Sequence, residues 1–313
     1  MTYDVFGKVY HTLDASRIDM RKNLTLDLAP ITHDELHLQT NVITAINNAT
    51  QSIIARGSYT NPEGVDISIR AMQDTARSQQ VRYPPEQTLP VPTGRYTHTH
   101  LYVYNQASLT VAQERVRQGY RVAILTFANP MQKTPQMRRA SIAQEQSINR
   151  STSIQYCTLH QEWLKDAVQQ SPIYDDTVVV TPLVPIFREQ TGDLIASPYA
   201  CGFVHAIAID AHAVRRTMPE REAEIPNLML QRAQRILRAA ATMRANVLVL
   251  GAWGCGGAGI DASVMAAIWQ VAIEQSGVRT FGIVDFAVPD VSNSQSIYLS
   301  FYRRLHQRLI DHP

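Results

Sequence analysis

The sequence predicts a three-layer α/β fold, a mixed sheet with helices on both faces, and three observations predict it. From residue 101 to the C-terminus, short apolar runs alternate with amphipathic segments, the pattern of strands connected by covering helices. The chain has 313 residues and is 45% hydrophobic, which is enough to bury one large core. Near its end a fully apolar run passes through a glycine-dense turn into a helical segment, a strand–turn–helix unit.

Taken in order, the first legible element is a helix start at Thr32-His33-Asp34-Glu35. It reads as a capping box, with Ile31 and Leu36 as a hydrophobic staple. Val42, Ile46, Ala49 and Ile53 continue the helix on one face, and Gly57 supplies its left-handed stop. Residues 58–96 are rich in Pro, Gly, Asn, Ser and Thr and read as loops with short elements around Asp66-Ile67-Ser68-Ile69. A strand at 101–104, a helix at 108–118 closed by Gly119 and a strand at 121–127 read as a βαβ unit. Strands follow at 177–181 and 203–209, then helix 227–244, strand 246–250, helix 261–275, strand 280–288 and a last helix over 294–309. One domain is expected over 1–313: an N-terminal helical and loop extension (1–96) and an α/β core (97–313).

Composition narrows the partners. A formal net charge of +2, from 29 basic and 27 acidic residues, provides no field strong enough to predict nucleic-acid or membrane binding. Residues 1–20 lack the apolar centre of a secretory signal. Cys157, Cys201 and Cys255 lie far apart, without zinc spacing or disulfide density. A cytoplasmic protein with no membrane span, no metal site and no cofactor is expected.

The most informative segment is Val247-Leu248-Val249-Leu250-Gly251-Ala252-Trp253-Gly254-Cys255-Gly256-Gly257-Ala258-Gly259-Ile260-Asp261. Glycines let a backbone approach an anion, and free N–H groups at a helix start carry partial positive charge, so the turn reads as a phosphate cradle with Asp261 capping the helix. A tight turn without ligand is the plainer reading. Gly254, Gly256 and Gly259 also match the dinucleotide fingerprint, with Asp285 as the ribose acid. That fingerprint normally opens a domain, whereas here a single strand follows it.

The stretch from Leu248 to Gly256 resembles the diphosphate loop of microbial-type poly(ADP-ribose) glycohydrolases. Ala123-Ile124-Leu125-Thr126-Phe127-Ala128-Asn129 is similar to the family's strand ending in Phe-Ala-Asn or Phe-Ala-Ser. Gln144-Glu145-Gln146-Ser147 is similar to its catalytic Gln-Glu-Glu-Ser, and Pro185-Ile186-Phe187-Arg188, Gly192 and Pro198-Tyr199 follow in the family's order. The resemblance implies a macrodomain-like fold and ADP-ribose or a related NAD-derived nucleotide as ligand, with ADP-ribosylated protein as a further partner. It implies that Asn129 lies near the distal ribose and that Gln144 also binds the ligand, with Gly254, Cys255, Gly256, Gly257, Ala258 and Gly259 around the diphosphate. Glu145 and Gln146 then occupy the catalytic positions.

Three departures fall at the chemistry. The family's Gly-Gly-Gly before the catalytic motif is replaced by Pro130–Ala140, which contains no glycine; Gln146 stands at the position of the acid; and the bulky Val-Phe pair after the cysteine becomes Gly257-Ala258. Cleaving a ribosyl acetal requires a carboxylic acid to protonate the leaving oxygen, a contribution of about 10²–10⁴-fold, and glutamine cannot supply that proton. Three functions remain open at this point. The first is nucleotide recognition with impaired or altered hydrolysis. The second is an active ADP-ribosyl glycohydrolase, of the O-glycosyl hydrolase type, using Glu145 or a carboxylate such as Asp66. The third is an NAD-binding or protein-interaction scaffold using Lys133, Arg138 and Arg139. His205, Asp210 and His212 stand where the family has small or neutral residues and could carry new chemistry.

Overall fold

The computed structural model describes residues 24–90, 94–130, 143–157, 163, 171–276 and 278–311. Its centre is an eight-stranded sheet in the order β10-β4-β9-β8-β5-β7-β6-β3. The strands are β3 (Val81–Tyr83), β4 (His98–Tyr104), β5 (Val122–Ala128), β6 (Val178–Arg188), β7 (Leu194–Ile207), β8 (Val247–Gly251), β9 (Ile283–Ala287) and β10 (Arg308–Asp311). From β4 to β7 the neighbours run parallel, and β10, β6 and β3 complete the edges antiparallel.

Strand pleating explains the three layers. Leu248 and Leu250 pack with Met229, Ile236, Trp269 and Phe301 in one cluster, on the side covered by α8 (Ile225–Ala241), α9 (Ala262–Gln275) and α10 (Ser296–Leu305). Val247 and Val249, pointing the other way, join Leu109, Val111 and Ile148 from α4 (Ser108–Arg117) and α5 (Gln144–Ser151). With apolar partners on both faces, the central strands read as continuous apolar runs. No helix among the described residues is long and apolar enough to cross a membrane.

The N-terminal region differs in detail from its sequence reading. The capping box at Thr32 forms, with Thr32 and Glu35 each satisfying the other's backbone N–H, but it starts only the one-turn α1 (His33–Leu36). The long helix α2 (Thr40–Arg56) begins afterwards and ends at Gly57, whose φ is 71°. Its buried face is Ile43, Asn47, Thr50, Ile53 and Ile54, not the one carrying Val42, which is 40% exposed. Polar residues belong to that face because they bridge elements: the Thr50 hydroxyl donates to Arg150 O at 2.7 Å and accepts from Arg188 Nε at 3.0 Å. Residues 58–83 hold a hairpin of β1 (Ser58–Thr60) and β2 (Asp66–Ser68), helix α3 (Arg70–Ser78) and edge strand β3. Helix α3 escaped the apolar-period reading because its buried pair is Gln73 and Ala76.

Two further readings are corrected. Strands β4 and β5 are not neighbours, because β9 and β8 lie between them, so the expected βαβ unit spans two inserted strands. The last helix stops at Leu305; after Gln307, with φ of 56°, the chain returns as β10 beside β4.

Candidate functional site

The topology creates a crevice between β5 and β8. These strands pair only over Val122–Ile124 and Val247–Val249. Beyond that they diverge, and their onward connections lead to opposite sides of the sheet. Such a switch point at the C-terminal ends of parallel strands is where α/β sheets bind ligands. Gln144 supports the opening. Its carboxamide accepts from Phe127 N at 3.0 Å and donates to Leu125 O at 2.7 Å and to Ser108 Oγ at 3.3 Å. It thereby satisfies backbone groups of β5 past the end of its ladder with β8. A buried polar group deprived of its partner costs about 1–3 kcal/mol. Gln144→Ala is therefore expected to lower unfolding free energy by about 2 kcal/mol, read from urea unfolding curves.

A cavity of about 400 Å³ lies over this crevice. The glycine turn after β8 lines it and is built from two kinds of glycine. Gly254 and Gly259 have φ of 80° and 72°, and a Cβ at either would collide, with Ile260 and Ala208 in the first case and with the His212 ring in the second. Gly251 is likewise fixed, since a Cβ there would sit 2.5 Å from Ala287 O. Gly256 and Gly257 differ: neither has a positive φ, and a Cβ at either meets nothing within 4 Å. The fold does not require glycine at those two positions.

Within the turn, the amides of Trp253, Cys255, Gly259 and Ile260 donate to carbonyls of the turn itself. Those of Gly256, Gly257 and Ala258 donate to no acceptor among the described residues. The start of α9 is not free, because Asp261 Oδ1 accepts from Ser263 N at 2.8 Å and Val264 N at 3.0 Å. Available positive potential thus resides in the turn rather than at the helix terminus. Burial, and next the Asp261 carboxylate, push the Cys255 thiol up to about 12, which leaves it a neutral wall group at neutral pH.

The cavity wall is segregated. Leu36, Ala107, Ala287, Val288, Pro289 and Ile297 make an apolar half beyond β4 and β9. Asn129, Gln144, Ser147, Tyr174, Gln190 and Asp210 make a polar half beyond β5 and β7. Tyr174, itself at φ 56°, is carried by a segment that the buried Arg232 fixes through Ile173 O at 3.1 Å, Ile207 O at 2.9 Å and Asp176 at 2.7 Å. Burial, and then the Asp210 carboxylate, raise the Tyr174 phenol.

Of the residues singled out in the sequence, Asn129, Gln144, Gly254, Cys255, Gly256, Gly257 and Ala258 line this cavity. Gly259 does not; it lines a shallower groove on the other side of the turn, with His212 and Arg215. Glu145 and Gln146 are not among the lining residues. Both are buried, and the Glu145 carboxylate accepts from Asn129 N at 3.2 Å. Asp285 is no ribose acid: it is fully buried and clamped by Arg115 Nε at 2.7 Å and Nη2 at 2.9 Å. Asp66 sits exposed in the β1–β2 hairpin, accepting from Thr60. His205 is a core residue beneath Phe203, 3.5 Å from the Thr181 hydroxyl. Pro130 lines the cavity; the rest of the glycine-free segment, with Lys133, Arg138 and Arg139, lies outside the described residues. Tyr174, Gln190 and Pro289 had no signal in the sequence, because only the fold brings them to the cleft.

A family model, the microbial-type poly(ADP-ribose) glycohydrolase catalytic domain, matches residues 47–189. The poly(ADP-ribose) glycohydrolase of Thermomonospora curvata superposes with a TM-score of 0.77 at 27% identity, over 84% of this chain and 99% of that one. In sequence and in fold the chain resembles the microbial-type poly(ADP-ribose) glycohydrolases. The T. curvata glycohydrolase bound to the inhibitor ADP-HPD gives 0.72 at 28% identity, with the same coverage. The glycohydrolase of Deinococcus radiodurans in complex with ADP-ribose gives 0.67 at 27%, over 74% of this chain and 96% of that one. No curated protein matches the chain. The macrodomain-like mixed sheet is what the chain shares with these structures.

Proposed function

We propose that this protein binds ADP-ribose or a closely related NAD-derived nucleotide in the β5–β8 crevice, and that its hydrolytic step is impaired. The observation that carries the reading is the set of unpartnered amides at Gly256, Gly257 and Ala258, on a turn where two glycines serve no need of the fold. Backbone N–H groups converging without a side chain in the way form an anion cradle. The segregated wall matches the remaining parts of the ligand. The apolar half suits a purine, and the amide, hydroxyl and carboxylate groups of the polar half suit a ribose. No Lys or Arg is among the described residues that line the cavity, so the diphosphate relies on backbone donors.

Impaired hydrolysis follows from the proton inventory. Gln146 has no proton of suitable acidity, and the Glu145 carboxylate is engaged with Asn129 N. Calorimetry is expected to show ADP-ribose binding with a Kd on the order of micromolar, about −8 kcal/mol, and incubation with poly(ADP-ribose) to release no ADP-ribose. Absence of both heat and thermal stabilisation with ADP-ribose, ADP and NAD would remove the reading. Release of ADP-ribose that disappears in Glu145→Ala would instead assign the acid role to Glu145.

A further inference from the structure

We infer that Asp210 selects ligands that carry a second ribose beyond the diphosphate, by accepting hydrogen bonds from that sugar's hydroxyls; the inference rests on the nucleotide-binding reading above. Asp210 is the one charged side chain among the described residues that line the cavity. A carboxylate in an anion-binding cleft repels phosphate, so its favourable partners are neutral donors. A ribose diol provides two of them.

Its position fits that part of the ligand. Asp210 follows the end of β7, where Ile207 pairs with Ala128 of β5, the residue before Asn129. Its own amide donates to Pro172 O at 2.9 Å, drawing it against the segment that carries Tyr174. Two residues on, His212 N donates to Ala258 O at 3.2 Å, which fixes this corner to the far end of the glycine turn. Asp210 therefore belongs to the part of the polar half that is tied to the glycine turn. Oδ1 is held by Ala213 N at 2.8 Å as the cap of the short helix α7 (Ala211–Thr217). That bond orients the carboxylate, and Oδ2 accepts from no protein donor among the described residues.

The test compares ADP-ribose with ADP, which has the purine and the diphosphate but no second ribose, by calorimetry on wild type, Asp210→Asn and Asp210→Ser. Asn and Ser both cap helices well, so the fold is retained, and melting curves check it. A hydrogen bond to a charged group corresponds to a factor of about 10 or more in affinity. Both variants are expected to lose roughly 10-fold or more toward ADP-ribose and nothing toward ADP. Equal losses for the two ligands would place Asp210 at the purine and overturn the inference, as would unchanged ADP-ribose affinity. Wild-type protein that binds both ligands, with indifferent variants, removes this inference alone. Wild-type protein that binds neither removes the nucleotide reading as well.

Discussion

Replacing Gly257 by leucine is expected to weaken ADP-ribose binding by roughly two orders of magnitude while leaving the protein folded. The added side chain meets nothing within 4 Å at its Cβ, and the backbone there needs no left-handed conformation, so the native state tolerates it. The diphosphate does not, because the side chain occupies the approach to the amides of Gly256, Gly257 and Ala258. Two charge-assisted bonds, each at the lower end of about 1.5–3 kcal/mol, correspond to a loss of that size. Gly256→Leu should behave in the same way. Gly254→Ala and Gly259→Ala should do the opposite. At φ of 80° and 72°, and against Ile260 and His212, they strain the backbone and cost stability on the order of 1–3 kcal/mol, detected as a lower denaturation midpoint. Calorimetry and unfolding on the four variants separate glycines kept for the ligand from glycines kept for the turn.

The largest stability effect is expected at Asp285, far from any surface. Its carboxylate and the Arg115 guanidinium are both fully buried and bidentate, at 2.7 and 2.9 Å. Burial pushes the Asp285 carboxyl up and the guanidinium pulls it back. Removing one partner leaves an uncompensated charge among Tyr102, Tyr104 and Tyr120, whose phenols are themselves raised by burial. Asp285→Leu, like Arg115→Met, is expected to cost about 3–5 kcal/mol. The double variant Arg115→Met/Asp285→Leu, which removes both charges and keeps the volume, should recover most of that loss. Denaturant unfolding of the two singles and the double closes the cycle. An additive double variant would show that the pair does not act as a unit.

The sheet was legible because its strands are buried on both faces, so that Val247–Leu250 and Ala123–Leu125 read as unbroken apolar runs. The turn itself was legible because glycines separate an apolar strand from a capped helix, and Gly254 and Gly259 take the left-handed conformation there. Less could be read where polar side chains are structural. The buried face of α2 contains Asn47 and Thr50, and α3 buries Gln73, so apolar periodicity caught Ile53 but misplaced Val42 in one helix and overlooked the other. Asp285 illustrates the same blindness at the site. An acid at the end of a strand fits a ribose ligand and a core ion pair equally well in sequence, and only Arg115, 170 positions away, decides between them. Gln144 was read as a ligand contact, yet its three hydrogen bonds show a second task, closing the open edge of β5. Tyr174 and Gln190 reach the cleft through loop geometry that no spacing rule encodes.

The central claim, that backbone amides of the glycine turn grip a diphosphate, is tested most directly by following the amide resonances of Gly256, Gly257 and Ala258 in a nitrogen-15-labelled sample during titration. Addition of ADP-ribose, and of ADP, should shift all three, while adenosine, which has no phosphate, should leave them nearly in place. ADP-ribose binding that shifts resonances elsewhere and leaves these three unmoved would contradict the claim.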